Sequence, residues 1–143
     1  MNLTKIENFI DKQKVSFICS VDEQNYPNVK AMLKPRKRNG LKEFYFSTNT
    51  SSARVKQYQS NPNASIYFYR KGLIKYVGVM LKGKMEVLTD QETKNMLWKT
   101  KFPIVLMLQI WKTIICGIKL EISLCQFWIC ILMVGKHGTR EAF

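Results

Sequence analysis

The sequence predicts a mainly β domain, a small β-barrel with helical decorations, on three observations. Runs rich in β-branched and aromatic residues recur at short intervals, with Asn, Asp, Gly and Pro between them. Only three segments show helical spacing or a helix-start pattern. One long strand-like run, "KYVGVMLKGKMEVL", holds Gly78 and Gly83, where a barrel strand bends or bulges. At 143 residues the chain is long enough to bury a core of its own.

The first element is a short amphipathic helix in "LTKIENFIDKQ". Leu3, Ile6, Phe9 and Ile10 fall on one face, and Asn2 or Thr4 caps it. "KVSFICSV" reads as a strand that puts Cys19 in the core, "DEQNYPN" as a turn, and "VKAMLKP" as the next strand. "RKRNG" ends on Asn39-Gly40, a tight-turn pair ahead of the strand "KEFYFST". A second helix covers Ser51 to Gln59 and stops at "SNPN", because Pro62 steers its predecessor out of the helix. "ASIYFYR" is a strand, the glycine-bearing run is one long strand or a pair, and "TDQETKNMLWK" is a third helix capped by Thr89 or Asp90.

Lys and Arg number 23 against 10 acids, a formal charge of +13. That excess attracts nucleic acid, acidic lipid or phosphorylated small molecules without choosing among them. The amino terminus has no uninterrupted apolar region of the secretory kind, so the expected location is cytoplasmic, with Cys19, Cys116, Cys125 and Cys130 as reduced thiols. With His137 as the sole histidine, the spacing of a Cys/His metal site is absent and no metal is expected.

The most informative stretch is "FYFSTNTSSARVKQ". Six consecutive hydroxyl or amide side chains, Ser47 to Ser52, separate a strand from a helix. One such residue suffices to cap a helix. A phosphate explains the rest: first-turn N–H groups lack helical partners, the helix dipole adds positive potential, and hydroxyls donate to phosphate oxygens. Arg54 brings a fork-shaped cation into the first turn. The competing account is a capped helix with a solvated basic face.

From "KVSFICSVDEQNYPNVKAMLKP", through "FYFSTNTSSARVKQYQSNPNASIYFY", to "GVMLKGKMEVLTDQETKNMLW", the chain resembles the flavin-binding split-barrel proteins. These are the pyridoxamine 5′-phosphate oxidase-like group, and the likeness is to its small general stress protein branch. The resemblance implies an FMN-binding split β-barrel that acts as a homodimer on a small molecule whose identity stays open. It implies that Lys30, Ala31 and Met32 edge the isoalloxazine, that Ser47, Thr48 and Ser52 bind phosphate or ribityl oxygens, and that Arg54 is the phosphate cation. Lys30 near the ring would favour the anionic reduced flavin. Read alone, Lys30 is a solvent-facing strand lysine and Met32 a core residue. The oxidases proper carry adjacent Arg and Lys in this loop; here Ala53 replaces the first, a departure the stress-type branch tolerates.

The expected division is a flavin-binding domain over residues 1–101 and an apolar segment over 102–143 that is not family-like. Only six charged residues fall in 102–143, against 27 before it. Lys112, Lys119 and Glu121 break the run, so no membrane span is expected. A divergent ending, a partner or membrane contact, and a reading frame shifted near Lys101 all fit the abrupt change.

Three functions follow. An FMN-dependent oxidoreductase leads, although no general acid or base stands out. A flavin-binding stress protein without efficient turnover is the second. A basic barrel that binds nucleic acid through "KPRKRNGLK" and the aromatics of "ASIYFYR" is the third and least supported, because alternate strand aromatics belong more often to a core.

Overall fold

The computed structural model describes residues 2–73, 75–97, 115–131 and 139–142. Its elements run α1 (Leu3–Asp11), β1 (Val15–Val21), β2 (Pro27–Leu33), β3 (Lys37–Asn39), β4 (Glu43–Asn49), α2 (Ala53–Ser60), β5 (Asn63–Lys71), β6 (Lys75–Leu88), α3 (Gln91–Leu97), β7 (Ile115–Ile131) and β8 (Thr139–Ala142). The fold is mainly β, as expected. The strands form one antiparallel sheet in the order β2-β1-β5-β6-β7-β4-β3, with β8 also on β7. No ladder joins β2 to β3 among the described residues, so the sheet is not closed.

Local chemistry explains the boundaries. Asn2 caps α1 by accepting from the Thr4 amide at 3.1 Å, and Asp90 caps α3 by accepting from Thr93 at 2.7 Å. The turn after β1 is organised by Asp22, whose carboxylate accepts from the amides of Gln24 and Tyr26 and from Asn28. These bonds hold its pKa below the ordinary value, the Asn28 side chain contributing most. Gly40 takes a φ of +54° in the β3–β4 hairpin, as the Asn-Gly pair predicts. The short strand β3 itself was not expected: "RKRNG" is half strand and half turn.

The core follows strand alternation. Ile18 from β1, Phe44 and Phe46 from β4, Ile66 and Phe68 from β5, Val79 and Leu81 from β6, and Ile118 and Leu120 from β7 point inward. Ile6, Phe9 and Ile10 of α1 complete the cluster. Cys19 is not among them: it alternates with Ile18 and Ser20 and lies half-buried on the other face.

The two glycines of β6 have different uses. A register shift falls between Lys82 and Gly83, and a Cβ on Gly83 would lie 1.7 Å from the Glu121 carbonyl oxygen, so this is the bulge. Gly78 makes no bulge; it is the floor beneath the Tyr67 phenol.

Residues 115–131, inside the segment of low charge, form β7 in the body of the sheet. One edge pairs with β6 from Gly117 to Ile131, and the other carries β4 and then β8. Among the described residues no helix is long and apolar enough to cross a membrane. His137 lies outside the described residues, and among those described no cluster of His, Cys, Asp or Glu could hold a metal.

Candidate functional site

The site is built on the turn between β4 and α2. Asn49 organises it: its Oδ1 accepts from the Ser51 amide at 2.9 Å and from the Ser51 hydroxyl at 2.8 Å, while its carbonyl accepts from the Ser52 amide at 3.0 Å. Ser52 stands at the helix start in extended conformation, and its hydroxyl makes no capping bond. The polar run is therefore more than a cap. Asn49 shapes the turn and leaves Ser52 uncommitted where first-turn amides and the helix dipole favour an anion.

Arg54 follows two residues later, and its side chain turns inward, only 7% exposed. Its Nη1 donates to the Met32 Sδ at 2.6 Å, its one hydrogen-bond partner among the described residues. No carboxylate pairs with it there. A thioether is a weak acceptor, and a guanidinium has five N–H groups to satisfy. Burying such a group without a counter-charge is costly.

Neighbouring contacts fix the helix that carries it. The Ser20 hydroxyl donates to Gln57 Oε1 at 2.6 Å, tying α2 to β1. The Tyr58 phenol reaches the Cys19 carbonyl at 3.5 Å; burial raises its pKa strongly, partly offset by the Arg54 charge. The Arg54 stem thus emerges from a helix held in place rather than a mobile loop.

Sheet pairing sorts the other expected residues. Met32 and Lys30 pair with Ser16 and Ile18 and share the inward side that Arg54 reaches; Lys30 is exposed because β2 is an edge strand. Ala31 pairs with Phe17 and faces the other way, exposed. On β4 the same alternation divides Ser47 from Thr48. Thr48 pairs with the buried Cys116, whereas Ser47 pairs with Gly117 and accepts from Arg36 Nε at 3.3 Å. The structure therefore joins Met32 to Arg54, puts Lys30 and Thr48 on the inward side and Ser52 at the helix mouth, and sends the Ala31 and Ser47 side chains outward. Ser47 and Thr48, both expected at phosphate or ribityl oxygens, thus present their side chains to opposite faces of β4.

Sequence reasoning missed Arg36 and Gln57. In the sequence Arg36 belongs to a turn and to the basic stretch "KPRKRNGLK", with nothing to link it to Ser47, and Gln57 is one more polar helix residue. Only tertiary packing places them.

The described residues form a small open antiparallel β domain with a buried guanidinium, without a carboxylate partner among them, beside a helix mouth. A sequence profile for pyridoxamine 5′-phosphate oxidase matches residues 3–103, and the chain belongs to that family. Pyridoxine/pyridoxamine 5′-phosphate oxidase of Legionella pneumophila (strain Lens) is 32% identical over 76 residues, which span 53% of this chain and 34% of that protein. The chain thus matches about a third of the length of that curated relative. A Clostridium acetobutylicum protein related to general stress protein 26 of B. subtilis superposes with a TM-score of 0.80 at 28% identity, covering 99% of this chain and 92% of its own. General stress protein 26 from Bacillus anthracis gives a TM-score of 0.67 at 19% identity over 97% and 98% of the two chains. The fold is also that of a heme binding protein from Mycobacterium smegmatis, with a TM-score of 0.70 at 12% identity over 100% of this chain and 58% of that one.

Proposed function

We infer that this protein binds FMN at the mouth of α2 and serves as a cytoplasmic oxidoreductase of a small molecule. The observation that carries the reading is Arg54: a buried cation on a fixed helix whose partner is a neutral sulfur. A phosphate monoester supplies the missing charge, and guanidinium–phosphate pairing is its natural geometry. Ser52, free of capping duty, adds a donor at the same place, and Thr48 approaches from the inward face of β4. Lys30 and Met32 line the β2 side, where the ring would lie. Ser47 and Ala31 enter through their backbone or not at all.

When bound, FMN supplies reversible electron transfer; this chain's own residues bind, orient and shield it. Arg54 anchors one end, and Met32 separates that charge from the sheet. Lys30, still solvated, places a positive charge along the ring and favours reduction.

A homodimer is supported by the outward side of β1 and β2. Val29 is 64% exposed there, beside the exposed Val15 and Phe17. An apolar face on an edge of the sheet suits a second copy of itself. The second reading, flavin binding without turnover, is favoured by Ala53, which leaves one cation in the loop. The nucleic-acid reading is weaker, since Phe68 of its aromatic run is fully buried.

The visible spectrum of the purified protein tests the reading. Flavin absorption that is lost in Arg54→Ala supports it. A colourless full-length protein in excess FMN, or a heme Soret band in place of the flavin bands, overturns it. Oxidation of NAD(P)H by the FMN-loaded protein separates the enzyme from the non-catalytic alternative.

A further inference from the structure

A second charged feature lies away from the α2 mouth. A cleft of 880 Å³ opens between the end of α1 and the segment joining β2 to β3. Six cations line it, Lys12, Lys14, Lys34, Arg36, Lys37 and Arg38, against one carboxylate, Asp11. That carboxylate is already committed: Arg38 holds both its oxygens, at 2.8 and 2.6 Å. None of the other five makes a salt bridge among the described residues, although the Lys34 charge also helps to hold the Asp11 carboxyl low. Arg36 donates to Ser47, and Lys37 donates to the Met96 sulfur at 3.1 Å.

The backbone around the cleft is tied down. Lys34 N–H donates to the Lys14 carbonyl at 3.0 Å, and Arg36 N–H to the Tyr45 carbonyl at 2.8 Å. The cations are thus gathered from three segments by fixed main chain, against their mutual repulsion. The cleft also has features a bare anion does not use. Leu33 gives it an exposed apolar surface. Gln13, which lines it, is 8% exposed; its Nε2 donates to the Phe9 carbonyl, while its Oε1 has no partner among the described residues.

We propose that this cleft binds a nucleotide carrying two or more phosphates. Its volume falls within the roughly 300–1,000 Å³ of small-ligand sites. A monophosphate would leave most of the cations unpaired. Inorganic polyphosphate would leave Leu33 and the Gln13 acceptor unused, whereas a base brings a flat apolar body and an amino donor. The site does not rest on the flavin reading, because none of its lining residues is in the α2 mouth.

The test uses the full-length protein and titration calorimetry at physiological ionic strength. The probes are ADP, NADPH, tripolyphosphate and a single-stranded RNA, with FMN as competitor. Saturable binding of ADP or NADPH, tighter than tripolyphosphate and undisturbed by FMN, is the expected result, and the better of the two identifies the source. Lys12→Glu with Lys14→Glu, both exposed, weakens that binding about tenfold or more, because two attractions become repulsions. Lys56→Glu with Lys84→Glu makes the same change in net charge outside the cleft and alters binding by less than about twofold. Flavin content is unchanged in both variants. The proposal is overturned if tripolyphosphate or RNA binds as tightly as the nucleotides, if FMN displaces them, or if the two charge-reversed proteins lose binding equally.

Discussion

Arg38 and Arg54 carry the same group into two very different corners of the molecule. Arg38, on β3, sits among oxygens: both carboxylate oxygens of Asp11, the Glu7 carboxylate at 3.3 Å and the Gly40 carbonyl at 2.9 Å. Its side chain is 21% exposed, and its pKa is raised, chiefly by the Asp11 hydrogen bond. Arg54 is more deeply buried and has a sulfur atom. The first corner joins the α1 helix to the β3–β4 hairpin and is complete without any ligand. The second has no counter-charge among the described residues, and in the proposed function the FMN phosphate supplies it.

The largest effect that would break this contrast is expected at Arg54. Two charge-assisted bonds at about 1.5–3 kcal/mol each predict that Arg54→Ala weakens FMN about 100-fold or more, read by quenching of flavin fluorescence on titration. The same substitution should leave the urea midpoint of the ligand-free protein unchanged or raised, since removing a buried unpaired charge relieves strain. A large loss of ligand-free stability would show that Arg54 is structural, and the contrast with Arg38 would collapse.

Arg38→Ala should do the reverse. It strands two acids and unties α1 from the hairpin. Because Asp11 is half-exposed and screened by solvent, the loss is about 1 kcal/mol, at the upper end for surface pairs, measured by urea unfolding. Affinity for FMN should stay within about twofold, since no lining residue of the α2 mouth touches this corner.

How legible these corners were in the sequence depends on the range of the interactions. Local signals were plain: the Asp90 cap, the Asn39-Gly40 turn and the full extent of β6 all follow from patterns within a few residues. Arg54 was visible as a cation after a polar run, but Met32, 22 residues earlier, is brought to it only by folding. The alternation of Ser47 and Thr48 across β4 is legible from the period of a strand alone. Strand β7 was hidden for a different reason. It is paired along both edges, with Ile118 and Leu120 fully buried and the half-buried Lys119 between them paired to Glu86 at 2.7 Å. Alternation is plain only over residues 118–123, and the continuous apolar runs on either side of that stretch mask it.

Ser52 sharpens the comparison at smaller scale. Ser→Ala at a helix start ordinarily costs about 1 kcal/mol, because the hydroxyl caps the helix. Here it makes no such bond, so Ser52→Ala should leave the unfolding midpoint unchanged while weakening FMN about threefold to tenfold. An equal loss of stability with no change in affinity would assign the hydroxyl to the helix alone.

The smallest effect is the pH dependence of the paired corner, and its sign follows from Asp11. The Arg38 hydrogen bond holds the Asp11 carboxyl below its ordinary 3.8, against an opposing contribution from burial. The unfolded chain then takes up the proton first as pH falls, so this contribution is present at neutral pH and is lost on acidification through and below that value. In Arg38→Ala the depression shrinks to what the Lys34 charge sustains, and the stability curve should flatten between neutrality and acid by the Arg38 component. Asp22 and Asp90 are also held low by hydrogen bonds of their own, so both proteins retain a residual slope. The difference between the two curves isolates Asp11. If they run parallel down to acid, the short distances around Arg38 carry no net free energy, and the two arginines differ in burial alone.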